Sequence, residues 1–376
     1  MFSFQDKIII IISSQDWGNN LLSKHLYAKE LSKKNQVYYI YTTAKESLKE
    51  NVTITSINEN LHLVHFKTPI KGISKLPSFM IDLQTKKIIH QFFKKTELNK
   101  VDLVWNFDQS KFQNLTPFKA EHLIFHPVDY IIQANPYKAR IADGSDLILS
   151  VSQAILDQVN TKTPKHFINH GLDEIFLNYT KIEKPVFLAN NKINIGYLGN
   201  LRMKLIDWKN MIKAVQENKQ INFVFMGPNE ISNLGGTIQN QHIQQLKTLP
   251  NTYFTGELTK EEIVKIFPYF DLFWLCYDSN TYSIEVSNSH KILEYLSTGK
   301  TVISNYISSY QDTNLLEMVE NNEAISDKIK IVTRNLENYN STEKCQQRIN
   351  FAKENTYKKQ LERIETIINT LNTGHL

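Results

Sequence analysis

Short apolar segments alternate with amphipathic helical segments along this chain, and the alternation occurs twice. The first series begins at Ile8–Ile12, an unbroken isoleucine run typical of a strand buried on both faces of a parallel sheet. The second series begins at Ile193–Leu198. Between them, residues 179–190 are rich in Lys, Asn and Pro, which indicates an interdomain linker. The pattern therefore predicts two doubly wound α/β domains.

The apolar periodicity places further elements in each series. In the first we predict strands at Val37–Tyr41, Thr53–Ile57, Leu61–Phe66, Val101–Trp105, His122–Phe125, Asp146–Val151 and near His166–Ile168, with a helix from about Leu21 to Lys33. In the second we predict strands at Asn222–Met226, Thr252–Phe254, Leu272–Leu275 and Thr301–Ser304, separated by helices. Ligands of such sheets bind beyond the carboxyl ends of the strands, so we expect the site in a cleft between the domains.

At 376 residues the chain is too long for one ordinary core. Its 41% hydrophobic and 22% charged residues are typical of a soluble globular protein. Cys276 and Cys345 lie far apart without metal-type spacing, which favours a reduced, intracellular location. The apolar run after Lys7 is too short for a signal peptide, and no run is long enough to span a bilayer. We therefore expect a cytoplasmic protein.

Lysines and large apolar residues are mixed between Lys67 and Lys100. The lysines are Lys67, Lys71, Lys75, Lys86, Lys87, Lys94, Lys95 and Lys100, and the apolar residues include Leu76, Phe79, Met80, Ile81, Phe92 and Phe93. This mixture suits an anionic membrane surface or an anionic acceptor, so we predict a peripheral contact with the inner membrane. A solvated helix pair with lysines covering an apolar face explains the same pattern. Nothing resembles a nucleic-acid-binding module.

The segment from Asn288 to Ser304 reads as a polar turn, an amphipathic helix, a glycine stop and a buried strand. Gly299 supplies the helix C-cap, and Thr301–Ile303 has the β-branched content of a strand. The turn exposes backbone N–H groups at the positive end of the helix, where a diphosphate binds well. Glu294, about one turn later, is placed to accept hydrogen bonds from ribose hydroxyls. An ordinary αβ unit with solvated charges is the competing interpretation.

Several segments resemble one family. Ile195–Leu201 and Asn222–Pro228 look like the opening of the donor domain of GT-B glycosyltransferases, and more narrowly of the retaining family-four group that builds bacterial capsule, teichuronic-type and lipopolysaccharide chains. Asp146–Ser152 followed by His170–Asp173 is similar to the end of that family's first domain. Phe351–Tyr357 resembles its C-terminal helix motif. The resemblance runs from about Lys7 to about Ile368.

The resemblance implies a GT-B architecture of two Rossmann-like domains facing a cleft. We expect an acceptor-binding domain at 1–178, a linker at 179–190, a donor-binding domain at 191–355 and a C-terminal helix at 356–376 that crosses back to the first domain. Glu294 matches the second glutamate of the family's donor motif, whereas Val286 stands at the first. Lys291–Val302 follows the later part of that motif, except that Thr301 replaces proline. The role of the first glutamate, positioning the transferred sugar, is therefore in doubt.

Glycosyl transfer requires that the leaving diphosphate be stabilised and the acceptor hydroxyl be held in line. Arg202 and Lys204 follow the Gly199–Asn200 turn and are our candidates for holding the phosphates. Backbone N–H groups of Ser289 and His290 would contact the same oxygens, and Lys291 would add charge. Alternatively, these cations are ordinary surface charges in a βα loop that bind no ligand.

Three further positions belong to the predicted donor site. Gly227 ends a strand where a ligand needs close approach, although a turn before Pro228 also explains a glycine there. Leu258 lies where, in the family it resembles, main-chain groups contact the nucleobase. Gly18, in the loop after the first strand, lies where the family lets the backbone approach donor and acceptor; a plain flexible loop is equally compatible.

His126 and Asp129 follow a buried strand of the first domain. The imidazole would hydrogen-bond the sugar, and Asp129 would orient or deprotonate the acceptor hydroxyl. Alternatively, His126 is a core histidine whose hydrogen bonds are satisfied within the protein, and Asp129 caps a helix.

We thus expect a metal-independent, cofactor-independent hexosyltransferase that moves a sugar from a UDP- or GDP-sugar to a glycan or lipid-linked acceptor, with retention implied by the resemblance alone. A nucleotide-sugar 2-epimerase on the same fold, a catalytically inactive homologue that binds sugar nucleotides, and a two-domain sugar-binding protein are the alternatives.

Overall fold

A computed structural model describes residues 1–18, 21–41, 52–66, 77–109, 112–129, 138–179, 182–188, 191–229 and 237–373. The chain forms two compact units. Unit 1 comprises residues 1–170 and 357–376, and unit 2 comprises residues 171–356. Our sequence boundaries, at residues 178 and 355, differ from these because residues 171–178, which we assigned to the first domain, pack with unit 2.

Unit 1 contains one eight-stranded sheet. Its elements are β1 (Ile8–Ser13), α1 (Ser23–Leu31), β2 (Gln36–Tyr41), β3 (Val52–Ser56), β4 (Leu61–Phe66), α2 (Ser78–Thr96), β5 (Val101–Asn106), β6 (Ala120–Phe125), α3 (Lys138–Asp143), β7 (Leu147–Ser150), α4 (Gln153–Leu156) and β8 (Lys165–Phe167). The strand order is β3-β4-β2-β1-β5-β6-β7-β8. Because the chain runs outward from β1 to β2 and then returns to β5, the topological switch point lies between β1 and β5.

The strands predicted in the first series are confirmed to within a few residues, and one orientation differs from the doubly wound pattern. The edge strand β3 pairs antiparallel with β4, whereas every other pair in the sheet is parallel. Four residues, 57–60, connect the two strands, and a connection this short permits only an antiparallel pair.

The C-terminal helix α12 (Tyr357–Thr373) belongs to unit 1. Its buried residues Tyr357, Leu361, Ile364 and Ile368 pack in the same core as Tyr27 and Trp105. Asn369 and Glu365 accept hydrogen bonds from the N–H groups of Phe2 and Phe4. The expected return of the C-terminal helix to the first domain is thereby confirmed.

Unit 2 contains a six-stranded, all-parallel sheet in the order β11-β10-β9-β12-β13-β14. Its elements are β9 (Asn194–Leu198), α5 (Trp208–Glu217), β10 (Asn222–Met226), α6 (Thr237–Lys247), β11 (Thr252–Gly256), α7 (Lys260–Ile266), β12 (Leu272–Trp274), α8 (His290–Leu296), β13 (Thr301–Asn305), β14 (Glu317–Val319), α9 (Ile325–Arg334), α10 (Leu336–Tyr339) and α11 (Thr342–Lys353). The switch point lies between β9 and β12. We did not predict β14, because its three residues carry no apolar run.

In the basic region, α2 buries Ile81, Ile88, Ile89 and Phe92 and exposes Phe79 and Leu83. Lys67, Lys71, Lys75 and Leu76 lie outside the described residues. Within the part of the chain that is described, no helix combines the length and apolarity needed to cross a bilayer.

Candidate functional site

Three glycine-containing loops meet at the carboxyl edge of the unit 2 sheet. Gly199 follows β9 and donates its N–H to Met226 (2.8 Å), and Gly227 follows β10 and donates to the carbonyl of Gly256 (2.8 Å). Gly227 adopts a φ of +134°, and a Cβ there would overlap the Gly199 carbonyl, 2.8 Å from its carbon. Glycine is therefore required at 227 by the approach of two main-chain loops. The turn before Pro228 does not by itself account for it.

Helix α8 is fixed to the same edge by Tyr295. Its hydroxyl accepts a hydrogen bond from the Leu198 N–H (2.7 Å), and the buried ring stacks on Phe273 at 4.5 Å. Ser289 occupies the N-cap in an extended conformation and makes no side-chain capping hydrogen bond. The first turn of α8 is thus held beside the end of β9, with Ser289 and His290 at its N-terminal end; their contact with a diphosphate stays a prediction.

Lys291 is a buried cation in the first turn of α8. Its side chain is 8% exposed, and its Cε lies 2.9 Å from the position that a Cβ on Gly199 would occupy. The ammonium lies 5.9 Å from the centre of the Tyr277 ring and has no salt-bridge or hydrogen-bond partner among the described residues. Burial of a cation without a partnered anion is costly, so this position favours an anionic ligand.

Arg202 and Lys204 lie in the loop after β9. The Arg202 N–H and its Nε both donate to Asn200 Oδ1, at 2.9 and 3.3 Å. Lys204 is exposed, and its Nζ lies 5.2 Å from the Tyr282 ring. Because residues 205–207 hydrogen-bond to residues 276–278, this loop is held against the segment that leads to α8. The structure thus brings both predicted cations to the edge that carries Lys291.

Glu294 lies one turn further along α8, next to the ion pair of Lys260 with Asp173 (3.0 Å). Desolvation, reinforced by the Asp173 carboxylate, raises the pKa of Glu294 to about 7, against the opposing effect of Lys260 and Lys291. Although part of the side chain remains accessible, the carboxylate is largely desolvated. Among the described residues it makes neither a hydrogen bond nor a salt bridge. It is therefore available to hydroxyl groups of a ligand.

Leu258 precedes α7, and its side chain packs on the unit 2 core. Its main-chain groups make no hydrogen bond to any residue that the structure describes. A contact of these groups with a base edge stays a prediction. Val286, at the position of the first motif glutamate, is a core residue that is only 2% exposed.

The remaining predicted residues lie in unit 1. Gly18, in the loop after β1, is exposed, and a Cβ there would meet no atom within 4 Å. The structure therefore provides open space beside Gly18 but no steric requirement for glycine. Asp129, three residues beyond His126, is exposed, and its carboxylate makes no hydrogen bond to a described residue.

His126 is fully buried at the end of β6 and packs against the rings of Trp105 and Phe107. The Trp105 Nε1–H donates to His126 Nδ1 at 3.2 Å, and an indole N–H can only donate. Nδ1 must therefore be the unprotonated nitrogen, and the proton lies on Nε2. Burial, with a smaller effect of His170, lowers the pKa of His126 to about 3, so the ring stays neutral.

The tautomer settles what His126 can do. Its Nε2–H is buried and has no partner within the described residues. A neutral ring in this tautomer can donate a hydrogen bond to a substrate oxygen, but it cannot accept a proton on Nε2. Proton abstraction by Asp129, which the sequence analysis assigned to that carboxylate, stays a prediction.

No protein-family model matches the chain, and no curated protein matches its sequence. Solved structures match nearly its whole length. They include α,α-trehalose 6-phosphate synthase from Burkholderia multivorans (TM-score 0.71, 8% identity, 99% of this chain and 100% of that chain) and sucrose-phosphate synthase from Thermosynechococcus elongatus (0.70, 11%, 98% and 100%). HepE from Anabaena in complex with UDP and glucose matches with a TM-score of 0.67 at 13% identity, over 96% of this chain and 99% of that chain.

These likenesses show the fold. The chain has two Rossmann-like parallel-sheet domains and the C-terminal helix of the GT-B architecture, so the predicted fold class is confirmed. At 8–13% identity they do not show the activity or the narrower family-four group.

Sequence reasoning missed three residues that shape these sites. Trp105 was counted only as a strand residue, and Tyr295 only as part of the helix. Lys24 was passed over within a helix whose apolar residues face the core. Its sequence neighbours Ser23 and His25 are polar, so no local pattern marked Lys24 as buried.

Proposed function

We propose that this protein is a glycosyltransferase that transfers a sugar from a nucleotide-sugar donor to a hydroxyl of a glycan or lipid-linked acceptor. The observation that carries the proposal is the pairing of Lys291 and Glu294 on one helix at the strand ends of unit 2. Lys291 is a buried cation without an anionic partner, and Glu294 is a desolvated carboxylate without a hydrogen-bond donor. A nucleoside diphosphate supplies both missing partners, because its phosphates are anionic and its ribose carries two hydroxyls.

In this proposal the diphosphate lies against Lys291 and the loop that carries Arg202 and Lys204. These cations stabilise the negative charge that grows on the leaving group. We propose that they act in place of a metal ion, so that transfer proceeds unchanged in EDTA. The base would contact the main chain at Leu258, and UDP is the first candidate because HepE was crystallised with it.

The groups of unit 1 would act on the sugar and the acceptor. His126 donates its Nε2–H to a sugar oxygen, and Asp129 accepts the proton of the attacking acceptor hydroxyl. An exposed carboxylate without a hydrogen-bond partner suits this task, because it can reach a bound hydroxyl without breaking an internal contact. Asp129→Asn should therefore lower kcat while leaving nucleotide affinity unchanged.

We further propose a role in bacterial surface polysaccharide synthesis, with retention of the anomeric configuration, on the resemblance to the family-four group. A peripheral contact with the cytoplasmic face of the membrane fits α2. Phe79 and Leu83 are each 65% exposed there, and Lys86 and Lys87 are exposed on the same helix. Binding to vesicles that contain anionic lipid, weakened in Phe79→Ser/Leu83→Ser, tests this contact.

Thermal shift with UDP, GDP and other nucleotide diphosphates tests the donor site, since a bound ligand raises the melting temperature. One nucleotide should stabilise the protein, and Lys291→Met should abolish most of that shift. No stabilisation by any nucleotide would refute the proposal. A donor-only incubation then separates the alternatives: release of an epimerised sugar without acceptor would indicate a nucleotide-sugar 2-epimerase.

A further inference from the structure

A second buried lysine lies in unit 1, on the first turn of α1. Lys24 is 4% exposed, and burial lowers its pKa despite the opposing charges of Asp129 and Asp108. Neither carboxylate lies within 4.0 Å of its Nζ, the limit for a salt bridge. Among the described residues the ammonium has no hydrogen-bond partner either. The ammonium therefore has no described protein partner, although the residue as a whole is almost fully buried.

The surroundings of Lys24 are those of a ligand site in this type of sheet. Lys24 follows β1, Asp108 follows β5, and Asp129 follows β6, so all three lie at the carboxyl edge on either side of the topological switch point. Such switch points are where open α/β sheets bind ligands. Ser23, on the same turn, lies 3.5 Å from His170 Nδ1, which places a further polar pair there.

We propose that Lys24 is an acceptor-positioning residue, and that with Asp108 and Asp129 it binds vicinal hydroxyls of an uncharged sugar. This inference rests on the proposed function and names the acceptor class. A hydroxyl can accept from the ammonium and donate to a carboxylate at the same time. An anionic acceptor would satisfy Lys24 but would face two carboxylates, and a cationic acceptor would face Lys24.

This role also predicts an unusual effect on stability. Because Lys24 is buried without a close counter-ion, its charge costs folding free energy. Lys24→Met keeps the length of the side chain and removes the charge, so it should raise the melting temperature by roughly 2–4 °C. A lysine kept at the expense of stability is expected at a binding site. A lysine that served as a structural ion-pair partner would show the opposite sign.

The test uses the full chain saturated with its nucleotide. Binding of methyl glucoside, methyl glucuronide and methyl glucosaminide is titrated by NMR, and the set is repeated in the galactose and mannose series. We expect one neutral glycoside to bind about tenfold more tightly than its uronide, and Lys24→Met to lose about tenfold in affinity for it. Lys24→Arg should retain part of that affinity. Lys29→Met, an exposed lysine on the same helix, is the control and should change nothing.

The outcomes separate this inference from the proposed function. Nucleotide binding depends on unit 2 and should be equal in wild type and all three variants; its absence in the wild type would count against the donor site. With nucleotide bound, a preference for the uronide or the aminosugar, or no binding of any neutral glycoside, overturns the acceptor assignment. A lower melting temperature of Lys24→Met with unchanged glycoside affinity makes Lys24 a structural residue and also overturns it.

Discussion

Replacing Glu294 by Gln should remove a pH dependence from both nucleotide binding and folding. The carboxyl pKa is raised from 4.5 to about 7, so the folded protein holds this proton more tightly than the unfolded chain does. The stabilising contribution is complete below pH 4.5 and is lost as the pH rises through about 7. At 1.36 kcal/mol per pKa unit the loss reaches at most about 3 kcal/mol, and partial exposure reduces it.

At pH 8 Glu294→Gln should therefore have a free energy of unfolding up to about 3 kcal/mol higher than that of wild type, and it should unfold at a higher denaturant concentration. At pH 5 the difference should fall below about 1 kcal/mol, because most of the wild-type contribution is retained there. Glu261→Gln is the matched control, since Glu261 is an exposed glutamate of the same unit.

With rising pH, the nucleotide affinity of the wild type should increase, whereas its stability decreases. If only the ionised carboxylate accepts the ribose hydroxyls, a pKa near 7 makes the competent form about tenfold more populated at pH 8 than at pH 6. Wild-type affinity should thus rise about tenfold from pH 6 to pH 8. The nucleotide itself also titrates in this range, so the pH profile of Glu294→Gln is subtracted first. Calorimetry in two buffers would detect the accompanying proton release. Equal pH slopes in wild type and Glu294→Gln would refute the ribose assignment.

Three further substitutions test the two sites. Trp105→Phe removes the donor to His126 Nδ1, so the imidazole tautomer is no longer fixed; we expect about a tenfold lower kcat, unchanged nucleotide affinity and altered imidazole nitrogen shifts in NMR spectra. Gly227→Ala must overlap a neighbouring carbonyl and should cost at least about 2 kcal/mol with loss of nucleotide binding, whereas Gly256→Ala, at a φ of +77° but in open space, should cost about 1 kcal/mol in denaturant titrations. Lys291→Met should weaken UDP binding roughly 10- to 100-fold but leave the affinity for uridine unchanged, since only the diphosphate contacts the ammonium; equal losses for both ligands would contradict its role.

Most of the fold could be predicted from local patterns. Continuous apolar runs such as Ile8–Ile12 and Phe223–Met226 mark strands buried on both faces, and the structure has β1 and β10 there. The return of α12 to unit 1 followed from the resemblance. Two features were not predicted. One is the antiparallel orientation of β3, which depends on its short connection to β4, and the other is the short strand β14, whose three residues carry no apolar run.

The candidate donor site was anticipated more fully than the candidate acceptor site. Lys291 and Glu294 lie in one continuous segment, so their spacing on a helix was visible in the sequence. Lys24, Asp108 and Asp129 come from three segments that follow different strands, and only the strand order brings them to one edge.

The sequence by itself determined which segments form strands and helices, because the spacing of apolar residues is a local property. The tertiary structure alone decided the protonation state of the functional groups. Trp105 fixes the tautomer of His126 from a neighbouring strand, and packing around α8 removes water from Glu294. Hydrogen-bond partners and desolvation depend on residues distant in the chain, so neither can be read from the spacing of the residues they affect.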